Sequence, residues 1–185
     1  YYFLEAMVQR QKGNNDAAFD LLRHCLELRP DAAEAHYYIA QYYAGLKDDS
    51  LSVAHIQQAA QLSPGNETYM ETLAQLYIRQ QKYGDAIAVV EQLYERDKSR
   101  EDLLEMLFQL YQQEGDFKQA ISVLERIESI DGKSERISVA KSEIYTRMGD
   151  KKAAIREMEA LAKQYPNDLN YLAMCGDMLL MNGQE

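Results

Sequence analysis

The sequence predicts an all-α chain in which one antiparallel helix pair is copied along its length, the α-α solenoid class. Three observations carry this. The prolines keep a period: Pro30 and Pro64 are 34 residues apart, and Pro166 falls three further periods on, with Lys98 and Gly132 in the intervening slots. The stretch Tyr111–Ala120, a Tyr-bearing run that stops at Gly115-Asp116 and restarts on Ala120, recurs 34 positions later as Tyr145, Gly149, Asp150 and Ala154. The same slots 34 positions earlier hold Tyr77 and Ala86, with the turn glycine displaced to Gly84. Finally, three prolines and nine glycines among 185 residues, set against many Ala, Leu, Gln, Glu and Lys, favour helix over strand.

The lattice places repeats at 1–30, 31–64, 65–98, 99–132 and 133–166, with a half-repeat at 167–185, and reads as a single array over 1–185 without insertion or deletion. Each repeat starts with a helix A whose apolar residues recur three and four apart: His36, Ile39, Tyr43, then Met70, Leu73, Tyr77, then Leu104, Leu107, Tyr111. Turns are expected at Gly13, 47–50, Lys82-Tyr83-Gly84, Gly115-Asp116, Gly149-Asp150 and Gly183, where glycine supplies the positive φ of a helix C-terminus. Helix B follows with Ala18-Leu22-Cys25, Ser52-Ile56-Ala59, Ala86-Val90-Leu93, Ala120-Leu124-Ile127 and Ala154-Met158-Leu161. Asp31, Asn66, Ser99 and Asp168 stand where they would cap the next helix A, and Ser99 with Asp102 has the form of a capping box.

Two columns hold small residues. Ala6, Ala40, Ala74, Ser142 and Gly176 recur on helix A, and Ala18, Ser52, Ala86, Ala120 and Ala154 on helix B, so that the helices of a pair approach closely. Phe108 breaks the first column and predicts a fourth pair that is more open or has a shifted crossing. Glu5 and Gln9 depart from the apolar columns in the first helix, where they would stay wet. Lys141, in the column of Ile39, Leu73 and Leu107, with the apolar stripe moved to Ile137, Ala140, Ile144 and Met148, predicts that the fifth helix A is rotated or less tightly packed than its neighbours.

Composition removes several function classes. A net charge of −10 opposes binding to a phosphate backbone, which needs clustered Lys and Arg. No apolar run approaches the ~20 residues that span a bilayer; the longest, Tyr171–Met181, is interrupted by Asp177. Tyr1 opens the sequence with no basic-then-apolar leader, which reads as a processed chain or a fragment. Cys25 and Cys175 lie in well-separated repeats and read as small buried hydrophobes rather than a redox pair. His24, His36 and His55 share no repeating ligand spacing, and no phosphate loop or nucleophile elbow occurs. Carboxylates such as Glu125 and Glu128 read as solvated faces. The expectation is a protein without catalysis, cofactor or metal.

The aromatic-x2-Leu-Gly/Ala-x2-Tyr…Ala-x3-Phe…Pro grammar, best matched at residues 33–64 and 67–98, resembles the tetratricopeptide repeat (TPR) family along the whole chain. The resemblance implies a right-handed stack of helix pairs with a concave groove lined by helix A residues facing away from helix B. Carried onto this lattice, the groove holds Phe3, Met7 and Arg10; then Glu34, Tyr37, Tyr38, Gln41 and Ala44; then Thr68, Glu71, Thr72, Gln75 and Arg79. It continues with Asp102, Glu105, Met106, Gln109 and Gln112, then Arg136, Val139, Glu143 and Arg147, and closes on Asn170, Met174 and Asp177. Gln41, Gln75 and Gln109 are in register as a row of amides able to pair with a peptide backbone, and Tyr37 and Tyr38 with Phe3 form an aromatic patch.

Some TPR proteins clamp the C-terminal carboxylate of chaperone tails with a Lys/Asn/Arg set. The corresponding slots here hold Phe3, Met7, Tyr38, Thr68 and Thr72, which lack that chemistry. The resemblance implies an interaction scaffold, and a groove centre made mildly acidic by Glu71, Asp102 and Glu105, with Arg136 and Arg147 beyond it, favours a protein or peptide partner that is basic or neutral at its middle. The alternatives are a structural or self-assembling element, a homo-oligomer docking through Leu172, Met178, Leu179 and Met181 beside Cys175 and Leu180, or an accessory segment of a larger protein. The insertion-free lattice looks bacterial; the sequence leaves the compartment open between a soluble cytoplasmic and a bacterial periplasmic or envelope-associated one.

Overall fold

The computed structural model describes residues 1–181, leaving out the side chains of Met178 and Met181, and in it the described residues form eleven helices and no strand. Odd-numbered helices are the expected helices A and even-numbered ones the helices B. The pairs are α1 (Tyr2–Gln11) with α2 (Asn15–Leu28), α3 (Ala33–Gly45) with α4 (Asp49–Leu62), and α5 (Glu67–Arg79) with α6 (Tyr83–Arg96). They continue with α7 (Glu101–Glu114) and α8 (Phe117–Asp131), α9 (Glu135–Arg147) and α10 (Lys151–Gln164), and then α11 (Leu169–Met181). The chain divides into two compact units, Tyr1–Lys98 and Ser99–Glu185, at the boundary between the third and fourth repeats of the lattice.

The turn inside each pair is one device used five times. The residue in the left-handed region recurs every 34 positions as Gly13, Lys47, Gln81, Gly115 and Gly149, with φ of 81°, 60°, 58°, 80° and 78°. The N–H of the next residue returns to a carbonyl five positions back: Asn14 to Gln9, Asp48 to Tyr43, Lys82 to Tyr77, Asp116 to Tyr111 and Asp150 to Tyr145, each at 2.9 Å. This closes the last turn of helix A and satisfies a carbonyl that would otherwise be orphaned. That same next residue then caps helix B where its side chain allows. Asp48, Asp116 and Asp150 accept from the N–H groups of Leu51, Gln119 and Ala153.

The turn of the third repeat has therefore not slid to Gly84. Gln81 occupies the left-handed position, Lys82 stands where the capping aspartates stand, and Gly84 lies in the first turn of α6. The expected capping box is also corrected: α7 starts after Arg100, whose guanidinium, 2.7 Å from Asp102 Oδ2, takes the carboxylate that the box required. Asn66 caps α5 as expected, whereas Ala32 and not Asp31 precedes α3. The Gly183 turn lies outside the described residues.

Packing follows the small columns. Ala18, Ser52, Ala86, Ala120 and Ala154 are all fully buried, opposite buried Ala6, Ala40, Ala74 and Ser142. Ser52 Oγ donates to the Ala40 carbonyl at 2.8 Å, and Ser142 Oγ to the Ala154 carbonyl at 3.2 Å, so each hydroxyl is satisfied by the helix it touches. Phe108 is half-buried, and its pair, α7 and α8, is the most sparsely packed of the five, as its bulk predicts. Cys25 is buried and Cys175 half-buried; both are free thiols.

Helix α9 overturns the rotation expected for it. Lys141 stays in the column of Ile39, Leu73 and Leu107 and is 4% exposed, between buried Ser138 and Ser142, while Ala140 is half-buried and Met148 is 38% exposed. The column is kept because the charge is neutralised in place. The Lys141 ammonium bonds to Glu128 of α8 and lies 3.7 Å from Glu157 of α10, and Lys133 completes the cluster at 2.8 Å from Glu157 and 3.5 Å from Glu128. Glu128 is therefore not on a solvated face.

Burial pushes the Lys141 ammonium down, but the Glu128 hydrogen bond and the charges of Glu157, Glu128 and Glu125 outweigh it and leave its pKa above 10.5. Burial pushes Glu128 up, and Lys141 and Lys133 more than reverse this, leaving it below 4.5. The lysine's contribution is complete below 10.5 and lost as pH rises through its folded value. The glutamate's is complete above 4.5 and lost as pH falls through its own. Lys141 and Glu128 are thus both charged throughout the neutral range.

Two outcomes follow for stability, both read from urea midpoints. Restoring the Gly-Asp pair in the third turn with Gln81→Gly/Lys82→Asp stabilises by about 1–2 kcal/mol, through relief of the left-handed strain and gain of a cap. Lys141→Ala costs about 2–3 kcal/mol by leaving partly buried carboxylates with one cation, whereas Lys141→Leu/Glu128→Leu restores an apolar seam and returns stability to the wild-type level or above.

Candidate functional site

In the first unit the outward faces of α1, α3 and α5 meet through aromatic side chains. The Phe3 and Tyr38 rings are 5.9 Å apart, Tyr37 and Tyr38 5.3 Å, and Tyr37 and Tyr69 5.0 Å, spacings at which tilted and edge-on ring pairs attract. Tyr37, Tyr38 and Phe3 are half-buried, while Tyr69 is buried beneath them. Burial, and then the charge of Glu34 and the neighbouring Tyr38 and Tyr37, push the Tyr69 phenol above its ordinary value. Arg10 crosses from α1 to α3: its guanidinium carbon lies 4.7 Å from the centre of the Tyr38 ring, and Nη2 donates to Gln41 Oε1 at 3.0 Å.

The structure thus brings Tyr37, Tyr38 and Gln41 together and adds Arg10, Phe3 and Tyr69. Gln75 is exposed and Glu71 half-buried on α5. Arg79 is exposed on the same helix and ion-paired with Asp49 at the start of α4.

In the second unit Arg136 of α9 donates to both carboxylate oxygens of Glu105 of α7, at 3.2 Å each. Gln109 is exposed and Gln112 half-buried. Glu143 and Arg147 line a cleft of about 630 Å³ with Asp177, over a floor that includes Val139, Met158 and Met174. On the same two helices, α11 and α9, Tyr171 donates to Glu135 at 2.8 Å, and that bond, followed by burial and the Glu135 charge, pushes the phenol up to about 12. Gln41 and Gln75 belong to the first unit and Gln109 to the second. Of the expected docking face on α11, Leu172 is 47% exposed and Leu179 half-buried; the Met178 and Met181 side chains lie outside the described residues.

One titratable pair was not legible from spacing. His36 of α3 and His55 of α4 face each other with 2.9 Å between their Nδ1 atoms, and His36 Nε2 lies 3.0 Å from the Pro30 carbonyl. A carbonyl only accepts, so neutral His36 carries its proton on Nε2, and His55 must donate from Nδ1 to His36 Nδ1. Tyr43 stacks on His55, with ring centres 5.5 Å apart, and Arg23 and Glu27 of α2 face it across a small cleft. The two histidines are nearly equidistant from the turn at Leu46, which is the signal that could have paired them.

No helix among the described residues is long and apolar enough to cross a membrane, and no group of three or more metal-ligating side chains converges there. The helix pairs with their repeated turn define the chain as a helical-repeat protein. Family models described as Tetratricopeptide repeat match residues 3–67, 71–135 and 111–177. The chain belongs to the tetratricopeptide repeat family.

Solved structures of similar fold include that of Naa15/Naa10 bound to HypK-THB, with a TM-score of 0.78 and 17% identity over 96% of this chain. This chain spans only 28% of that one. A tetratricopeptide repeat protein from Parabacteroides merdae gives a TM-score of 0.60 and 17% identity, covering 99% of this chain and 73% of that one. YrrB, described as a TPR protein with an unusual peptide-binding site, gives 0.62 and 14%, covering 94% and 89%. At these identities the likeness is one of fold. Comparison with curated proteins gives no match.

The histidine pair makes stability pH-dependent. Burial, and then the charge of His36, hold the His55 pKa below its ordinary 6.5. Above 6.5 neither state binds this proton; as pH falls below it the unfolded chain binds first, so stability is lost progressively through the folded value. Urea midpoints are expected to fall between pH 7 and pH 5 in the wild type and to fall less steeply in a His55→Gln variant.

Proposed function

We propose that this chain is a non-catalytic interaction scaffold that holds an extended segment of a protein partner against its odd-numbered helices. The fold is in general a scaffold for protein–protein interaction. The finer reading is carried by the first unit, where the half-buried rings of Phe3, Tyr37 and Tyr38 touch one another, Arg10 links Tyr38 to the amide of Gln41, and α5 carries the exposed amide of Gln75. Rigid aromatic rings offer contact area at small entropic cost, and amides pair with peptide backbone whatever its sequence. In the second unit the cleft of Glu143, Arg147 and Asp177 over Met158 and Met174 suits an apolar side chain flanked by polar ones. The peptide-binding site in the description of YrrB, a protein of similar fold, agrees with this reading.

An array of extended peptides probed with the folded chain supplies a ligand, whose affinity is then measured by fluorescence anisotropy. Gln41→Ala and Gln75→Ala, both in the first unit and made one at a time, each remove one hydrogen-bonding arm of about 1 kcal/mol and are expected to weaken binding about fivefold. Unchanged affinity in both variants would sink the role given to the amides.

A further inference from the structure

Arg10 is an exposed side chain of α1 whose two partners both lie on α3 and are both neutral: the face of Tyr38 and the amide oxygen of Gln41. A ring face at 4.7 Å and an in-plane acceptor at 3.0 Å together fit a guanidinium, which stacks by its plane and donates from its edge. The ring is held ready for such a contact by Phe3 on one side and Tyr37 on the other, with Tyr37 in turn resting on buried Tyr69. Glu34, one turn before Tyr38 on the same helix, is exposed and close enough to Tyr69 to raise its pKa, so the field around the pocket favours a cation.

Arg10 is not needed to join the two helices. They already share a core of Ala6, Leu22, Cys25, Ala35 and Ile39, against which Phe3 and Met7 pack. An exposed cation on neutral partners is held weakly, by about a fivefold preference for the docked over the undocked state, and is readily displaced. The overall charge of −10 draws a basic segment toward this surface and repels an acidic one.

We propose that the Tyr38–Gln41 pocket recognises an arginine side chain of the partner segment, and that Arg10 occupies it as a placeholder in the free protein. This rests on the reading of the odd-numbered helices as the binding face and adds the chemistry of the partner. The incoming residue exchanges one guanidinium for another, so the apparent affinity is reduced by the fraction of time that Arg10 is docked.

The test is an NMR titration of the folded chain with a short Gly/Ala peptide bearing one central arginine, and with its lysine and citrulline counterparts, following the Gln41 side-chain amide. Arg10→Ala is expected to tighten binding of the arginine peptide about fivefold. The lysine and citrulline peptides should bind several-fold more weakly, and Tyr38→Ala in the Arg10→Ala background should abolish the Gln41 shifts. Should Arg10→Ala loosen α1 by circular dichroism, Arg10→Gln keeps the stem and is read in its place. Binding that is unchanged or weaker without Arg10, or equal for lysine and arginine, overturns the proposal. If arginine selectivity fails while array peptides still depend on Gln75, only this proposal falls; if neither peptide set binds, the groove reading falls with it.

Discussion

Two helices can pack backbone against backbone only where neither carries more than a methyl or hydroxymethyl group at the crossing, and this restriction governs the rest of the structure. The buried column of Ala18, Ser52, Ala86, Ala120 and Ala154 is where it is met. Once that contact is placed, the larger residues one turn away have to fill the seam, which is why Leu22, Ile56, Val90, Leu124 and Met158 are buried in every pair. The turn must then deliver helix B in the same orientation each time. A left-handed residue every 34 positions does so, even at Lys47 and Gln81, where it carries a strain that glycine would avoid. Register outranks residue preference at these turns.

The same priority explains Lys141. A lysine in an apolar column could be accommodated by rotating the helix, but rotation would pull Ser142 away from the Ala154 carbonyl and Ser138 and Ile137 out of the seam. Holding the column and neutralising the charge with Glu128 and Glu157 preserves the small-residue contact. The second unit thus retains the geometry of the first with an ionic seam in place of an aliphatic one, at the usual cost of desolvating charges.

What was legible in the sequence was whatever repeats. The period, the helix pairs, the small columns and the inward tyrosines all recur, so each copy corroborates the others. What was missed depends on single copies. Following glycine identity rather than register put the third turn at Gly84 instead of Gln81. The partners of Lys141 lie on two other helices, 13 residues before and 16 after it, so no local pattern announces them. The His36–His55 contact is likewise a relation across the turn and not along a helix. Tyr37, Tyr38 and Gln41 were put on one face by the family resemblance carried onto the lattice, whereas the ion pair of Arg79, at the end of α5, with Asp49 of the neighbouring pair had no signal in either helix.

That last contrast bears on how an acidic scaffold selects a partner. Arg136 and Arg79 are held by carboxylates, Glu105 and Asp49, so removing either from its partner would expose an unpaired acid as well as a base. Arg10 has no such tie, because its ring and amide partners remain uncharged when it leaves. Displacing it leaves no unpaired acid at the pocket, and the freed side chain regains its rotamers in water. On the proposal made above, an incoming arginine would meet a ring and an amide already in place, while an acidic segment would meet Glu34 and the overall negative charge. The proposed preference would arise as much from what the surface repels as from what the ring and amide hold.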